Sequence, residues 1–138
     1  MADSTIRKNK HINIKYVVGV FLLVRFFLLI SLPYEGIRGY GDHWNYFAQV
    51  DLGIPFIDYW TEFPPLFPFL TKFLFILASG REHTFTYLLY IVLSVCQAGN
   101  IFLFHKLLEL LPAREAPSGR VVLYAGILAG VGYGWGYF

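Results

Sequence analysis

The feature that most constrains this chain is an apolar run from Tyr16 to Leu32, in which Arg25 is the only charged residue. The 17 residues of this run lie at the lower end of the range of about 17–25 that a transmembrane helix needs. A signal peptide has a shorter apolar region followed by a small-residue cleavage site, whereas this run leads into "SLPYEGIRGY". The pattern therefore predicts an uncleaved first transmembrane helix over 16–32.

The composition of the whole chain agrees with a membrane protein. Hydrophobic residues make up 57% of the 138 residues and charged residues 14%, against about 25% charged in a typical soluble domain. Two further apolar runs predict spans over 84–106 and 121–138. The net charge of +2 gives no basis for nucleic-acid binding, and a single cysteine, Cys96, excludes an internal disulfide. We expect an all-α integral membrane protein with three transmembrane helices.

A fourth apolar segment, 64–79, decides the predicted topology. Its prolines and the following Gly80 leave about 15 residues of helix, roughly 22 Å, against about 30 Å of hydrocarbon, and it carries Lys72. If it does not span, seven basic residues lie on one side: Arg7, Lys8, Lys10, Lys15, Lys106, Arg114 and Arg120. Three lie on the other side, namely Arg38, Lys72 and Arg81, whereas a spanning segment gives five against four. Cytoplasmic loops are the basic ones, so the segment is predicted not to span.

This topology predicts a multi-pass plasma-membrane protein with a cytoplasmic tail over 1–15, an extracytoplasmic loop over 33–83 and a cytoplasmic loop over 107–120. Two interfacial helices are expected in the extracytoplasmic loop, at about 42–52 and 64–79. The polar residues of the first share one face by their spacing: Asp42, Asn45, Tyr46 and Gln49.

The third apolar run contains Gly126, Gly130 and Gly134, spaced by four. Glycines at this spacing lie on one face of a helix and let another helix approach closely. We therefore expect either that the sequence is the N-terminal part of a longer protein, whose missing helices pack on these glycines, or that another subunit packs there.

Several stretches, taken in order, carry a resemblance to a known family. They are the basic N-terminus, the first span, "GDHWNYF", "GIPFID" and "EFPPL", followed by a short apolar helix and further spans. This order resembles the N-terminal part of the GT-C superfamily of integral membrane glycosyltransferases, in particular the polyprenol-phosphate mannosyltransferase branch, over roughly residues 16–110. Phe63 stands where the branch acting on proteins or lipid A prefers lysine.

The resemblance implies an enzyme that moves a sugar, most readily a mannose-like hexose, from a polyprenyl-phosphate donor to an acceptor hydroxyl outside the cell. Its partners are the lipid-linked sugar and membrane lipids, with no nucleic acid. A function of a different class stays open: a non-catalytic membrane protein that is an accessory subunit or a carrier for lipid-linked sugars.

The resemblance gives Asp42 the role of catalytic base. An inverting transfer needs a carboxylate to take the proton of the acceptor hydroxyl, and Asp42 follows the first span closely enough to lie at the membrane surface. The alternative is an N-cap, because aspartate before a helix is among the best caps. One residue can serve both roles.

The candidate substrate-binding residues are Asp58, Glu62, Arg25 and Tyr46. Asp58 and Glu62 either bind a sugar or an ion, or are solvated loop carboxylates. Arg25 lies mid-span, where a charge costs at least a few kcal/mol, and it either reaches the donor phosphate or pairs with a carboxylate of a missing helix. No residue is assigned as a metal ligand, and the need for a divalent metal is left open.

Overall fold

The structure, a computed structural model, describes residues 13–38, 43–110 and 117–131. It contains six helices in these ranges: α1 (Ile14–Ser31), α2 (Tyr34–Arg38), α3 (His43–Asp51), α4 (Leu66–Leu77), α5 (Glu82–Leu110) and α6 (Pro117–Val131). No strand occurs within the described ranges, where a single β-bridge joins Pro55 to Tyr59. The prediction of an all-α chain is confirmed for these residues.

Two helices, α1 and α5, are long and apolar enough to cross a membrane, by length and composition. Within their most apolar windows, 11% of α1 and 28% of α5 is buried inside the chain, whereas the core helix of a soluble protein is mostly buried. Large apolar side chains such as Phe26, Phe27 and Leu103 are 60–62% exposed. This exposure favours a lipid environment around the pair.

The predicted third span is not confirmed. The described part of α6 has 15 residues, about 22 Å of helix, and residues 132–138 lie outside the described ranges. The helix begins at Pro117 rather than at 121, because proline suits the first helical position. At the start of the predicted cytoplasmic loop, α5 continues to Leu110. The predicted loop over 107–120 is therefore helical at both of its ends.

The two long helices run antiparallel. Residues later in α1 meet residues earlier in α5. Phe21 shares a buried cluster with Ala98 and Ile101, Arg25 bonds to Ser94, and Tyr34, just beyond α1, bonds to Glu82. The third long element, α6, joins the same core through Val121 and Ala125.

The three shorter helices lie between α1 and α5 in sequence, at the end of the pair where α1 ends and α5 begins; we call this the loop end. A second buried cluster holds α3 and α4 there and is composed of Tyr46, Leu74, Ala78, Phe85 and Leu89. The helix α2 is joined to α5 by the hydrogen bond of Tyr34 to Glu82. Phe85 on α5 is completely buried, so it anchors α3 and α4 to the long helix.

The short apolar helix α4 has 12 residues, about 18 Å, which is too short to cross a bilayer. Its lysine has a local role: Lys72 Nζ donates to the backbone carbonyl of Val50 at 2.6 Å. Carbonyls in the last turn of a helix lack intrahelical donors, so Lys72 caps α3. The placement of α4 along the membrane surface stays a prediction.

Candidate functional site at the loop end of the helix pair

The buried face of α3 differs from the expected one. Tyr46 is 7% exposed, and its ring lies edge-on to Phe63 at 5.3 Å and to Phe67 at 5.0 Å between centroids. Tyr46 was expected on the polar face of this helix with Asn45 and Gln49, and its ring is instead buried among aromatic side chains. The physical reason is that a tyrosine ring buries a large apolar area and favours edge-to-face contact with other rings. The ring of Tyr46 belongs to the aromatic core. The assignment of Tyr46 as a substrate-binding residue stays a prediction.

The proposed base, Asp42, lies outside the described residues, and its role stays a prediction. It immediately precedes His43, the first residue of α3. The helix that follows it is well fixed, because Val50 is 1% exposed and Phe47 packs on Phe85 with a ring distance of 5.5 Å.

Asp58 closes a tight loop after α3. Its Oδ2 accepts a hydrogen bond from the backbone N–H of Ile54 at 2.6 Å, and the N–H of Phe56 donates to the carbonyl of Tyr59 at 2.8 Å. Gly53 adopts φ +141°, and a Cβ on it would overlap the Asp58 side chain. One carboxylate oxygen of Asp58 is thus committed to the loop, and its second oxygen is the one that a ligand can use.

Glu62 and Arg25 occupy opposite surroundings. Glu62 is exposed and makes no hydrogen bond or ion pair within the described part of the chain. Arg25 is 1% exposed inside the helix pair. Its Nε donates to Ser94 Oγ at 3.2 Å, and its guanidinium carbon lies 4.6 Å from the centre of the Tyr90 ring.

A mostly apolar groove of about 220 Å³ lies beside Arg25, between α1 and α5. Its lining residues are Leu22, Arg25, Phe26, Leu29, Tyr90, Ile91, Ser94 and Val95. The four described candidates therefore lie in separate surroundings: a hydrogen-bonded loop, solvent, the aromatic core and the interior of the helix pair.

Sequence reasoning missed a polar cluster where α2, α3 and α5 meet. We call it the Arg38–Glu82 cluster; its members are Tyr34, Arg38, Trp44 and Glu82. The Tyr34 hydroxyl donates to Glu82 Oε1 at 2.9 Å, and Arg38 Nε lies 3.3 Å from the same oxygen. Glu82 is the first residue of α5, where the helix dipole favours a negative charge.

Aromatic side chains surround this ion pair. The guanidinium carbon of Arg38 lies 5.1 Å from the centre of the Trp44 ring, and Trp44 remains 50% exposed. Tyr34 stacks on His83 with centroids 3.7 Å apart and planes at 11°. Burial raises the pKa of the Tyr34 phenol, and its hydrogen bond to Thr86 acts in the opposite direction. The phenol is therefore a protonated donor to Glu82 at neutral pH.

The cluster is partly open to solvent. The side chains of Arg38 and Glu82 are 37% and 26% exposed. The two terminal nitrogens of Arg38 and the second oxygen of Glu82 make no hydrogen bond within residues 13–38, 43–110 and 117–131. A partial signal for the cluster existed in the sequence, because residues that flank two antiparallel spans on the same side lie at the same end of the helix pair.

The described ranges contain no group of three or more His, Cys, Asp or Glu side chains placed to hold a metal ion. The possible divalent metal therefore has no donor set in this part of the chain, and no chemical step is assigned to it.

No protein-family model, curated protein or solved structure matches this chain. The resemblance to the GT-C superfamily therefore rests on the quoted sequence stretches. What the structure adds is the way in which those stretches pack against one another.

Proposed function

We propose that this chain is the N-terminal part of a membrane glycosyltransferase that moves a mannose-like hexose from a polyprenyl-phosphate donor to an acceptor hydroxyl at the extracytoplasmic surface. The supporting observation is the packing of the two stretches that carry the resemblance. Tyr46 of "GDHWNYF" lies against Phe63 and Phe67, the residues on either side of the Pro-Pro-Leu of "EFPPLF". The two motifs thus belong to one folded unit rather than to separate loops.

The position of this unit suits a lipid-linked substrate. It lies at the loop end of two span-length helices, and the basic-residue bias assigns that end to the outside. Large apolar side chains remain exposed on it: Ile57 at 76%, Trp60 at 81% and Leu66 at 82%. Such side chains bind the interfacial region of a bilayer, which is where the phosphate of a polyprenyl-phosphate sugar resides.

The proposed reaction assigns Asp42 as the base. The Asp42 carboxylate takes the proton of the acceptor hydroxyl while that oxygen attacks the anomeric carbon. The bond from the anomeric carbon to the phosphate oxygen breaks, and the polyprenyl phosphate leaves with the electron pair. The configuration at the anomeric carbon inverts.

The remaining assignments are proposals of the same kind. Asp58 offers its second oxygen and Glu62 its exposed carboxylate to a substrate, whereas the bonds of Arg25 to Ser94 favour a place inside the helix pair. Gly126 is exposed, with open space where a Cβ would stand. This space is consistent with further helices packing on α6, while Gly134 lies outside the described residues.

The test is a transfer assay in membranes that contain the whole protein or assembly to which this chain belongs. A radiolabelled polyprenyl-phosphate hexose is supplied in one reaction and the matching nucleotide hexose in another, each with washed membranes as acceptor source. We expect label to reach an acceptor from the polyprenyl-phosphate donor alone. Absence of transfer, with donor nevertheless bound, would assign the chain to the non-catalytic class, as an accessory subunit or a carrier.

A further inference from the structure

We infer that the Arg38–Glu82 cluster is a hexose-binding site that uses Arg38, Glu82 and Trp44. That this hexose is the sugar of the donor rests on the proposed function. The inference starts from the hydrogen-bonding groups that the cluster leaves open, from the exposed indole beside them, and from the net charge of the group.

The open groups form a matched donor and acceptor pair. Glu82 Oε1 is occupied by Tyr34 and Arg38. Among the described residues, this leaves Oε2 as an acceptor and the terminal nitrogens of Arg38 as donors. Each hydroxyl of a sugar both donates and accepts. Two neighbouring hydroxyls of a hexose can therefore donate to Oε2 and accept from the guanidinium at the same time.

Trp44 supplies the apolar part of the site. The Arg38 guanidinium carbon lies over its ring, 5.1 Å from the ring centre, and half of the Trp44 side chain is still exposed. A hexose has an apolar face made of C–H bonds, which packs on the face of an aromatic ring. The indole contacts Arg38, and Arg38 contacts Glu82, so the three side chains form one continuous group on which a sugar ring can bind.

The cluster is held in place before a ligand binds. Tyr34 fixes Glu82 through a 2.9 Å hydrogen bond, the start of α5 favours its negative charge, and Trp44 restrains Arg38 through a cation–π contact. A site ordered in advance loses less conformational entropy when its ligand arrives.

The charge of the cluster favours a neutral ligand. Arg38 and Glu82 form an ion pair of zero net charge, so the pair exerts little net attraction on an anion. A phosphate bound to Arg38 would also bring its oxygens towards the open oxygen of Glu82, where like charges repel. A neutral polyol meets no such penalty, which is why we assign a sugar ring rather than a phosphate to this site.

The test is ligand-observed NMR with methyl α-D-mannopyranoside and the complete protein in detergent micelles. Saturation transfer to the sugar gives its Kd, and inorganic phosphate is added as a competitor. Arg38→Lys, Glu82→Gln and Trp44→Leu are each expected to weaken binding about tenfold or more, since each removes one of the contacts, about 1.4 kcal/mol per tenfold. Lysine is included because it keeps the charge and loses the planar fork.

Two exposed residues of the same region serve as matched controls. Trp60→Leu removes an indole that is 81% exposed, and Asp51→Asn removes an exposed carboxylate with no assigned role; both are expected to change the Kd less than twofold. Thermal unfolding of every variant is recorded. Trp44→Leu leaves the bonds between Tyr34, Arg38 and Glu82 intact, so it tests binding even if Glu82→Gln unfolds the α2–α5 contact.

The outcomes separate the inference from the proposed function. Normal sugar binding by folded Trp44→Leu and Glu82→Gln variants, or displacement of the sugar by phosphate, overturns the inference. Transfer from the polyprenyl-phosphate donor by a protein that binds no hexoside overturns it too and leaves the proposed function standing. Binding that depends on Arg38, Glu82 and Trp44, in a protein that transfers no sugar, supports the inference and removes the proposed function.

Discussion

Replacing Arg25 by methionine is predicted to change the free energy of unfolding by less than about 1 kcal/mol, although Arg25 is 1% exposed. The reason is a near cancellation of opposing terms. A charged side chain in the middle of a span costs about 2.5–3.5 kcal/mol. Against this, a charged hydrogen bond such as that to Ser94 contributes about 1.5–3 kcal/mol, and a contact such as that to the Tyr90 ring about 1 kcal/mol.

The same reasoning predicts that Ser94→Ala, although it removes a single oxygen atom, destabilises the protein more than Arg25→Met does. Ser94→Ala removes the acceptor 3.2 Å from Arg25 Nε and leaves the charge in place, so it should cost about 1.5–3 kcal/mol. In the double variant Arg25→Met with Ser94→Ala, most of this loss should disappear, because the acceptor is no longer needed. The four proteins of the cycle give the coupling energy directly.

The assay titrates the detergent-solubilised protein with SDS at a fixed lipid-to-detergent ratio. Unfolding is monitored by circular dichroism. Val95→Ala, on the same turn of α5 with a side chain that is 61% exposed, is the control for a change on the outer surface. A loss above about 3 kcal/mol for Arg25→Met alone would refute the cancellation, because a cost of that size is typical of a buried carboxylate left without its cation. Unchanged stability of Arg25→Met together with lost sugar transfer would instead assign Arg25 a role in binding the substrate.

Three further predictions concern the topology and the loop end. Single cysteines at Ser31, Ser79 and Ser118, in a protein whose Cys96 is replaced, should react with an impermeant reagent in intact cells at the first two positions, and labelling of Ser118 from outside would reverse the orientation. Gly53→Ala should destabilise the loop by about 1–2 kcal/mol, because Gly53 has φ +141° and faces Asp58; a melting temperature equal to that of the parent protein would contradict this. Lys72→Met should cost about 1 kcal/mol and speed amide exchange at the end of α3, since the 2.6 Å bond to Val50 is lost; unchanged exchange there would show that the cap contributes nothing.

The long helices could be predicted from the sequence because their signal is local. Apolar runs longer than a typical core helix identify α1 and α5, and the prolines before Leu66 together with Gly80 bound α4. Element ends were less predictable, since hydropathy marks the residues that suit lipid whereas helical hydrogen bonding continues past them. The ion pair of Glu109 with Lys106 and its contact with His105 support the last turns of α5 in this way.

The candidate site was less predictable because its contacts depend on the fold. Tyr34 and Glu82 are 48 positions apart, and each resembles an ordinary loop residue until the antiparallel pair brings them together. Tyr46 was assigned to the polar face because tyrosine carries a hydroxyl, whereas the area of its ring decides its burial. The role of Asp58 in its loop had a readable signal, since Gly53 and Pro55 before it are typical of a turn.

The measurement that tests the central claim most directly is sugar transfer by the Asp42→Asn variant of the complete protein. Asparagine keeps nearly the same shape and remains a good helix cap, so it removes the base and preserves a cap. Asp51→Asn is the matched control, because Asp51 is the exposed last residue of α3 and has no assigned role. With purified protein, a polyprenyl-phosphate hexose and an acceptor, Asp42→Asn is predicted to lower the transfer rate by about 10²–10⁴ at an unchanged melting temperature, while Asp51→Asn transfers normally. Near-normal transfer by Asp42→Asn at unchanged stability would contradict the account and pass the role of base to Asp58 or Glu62.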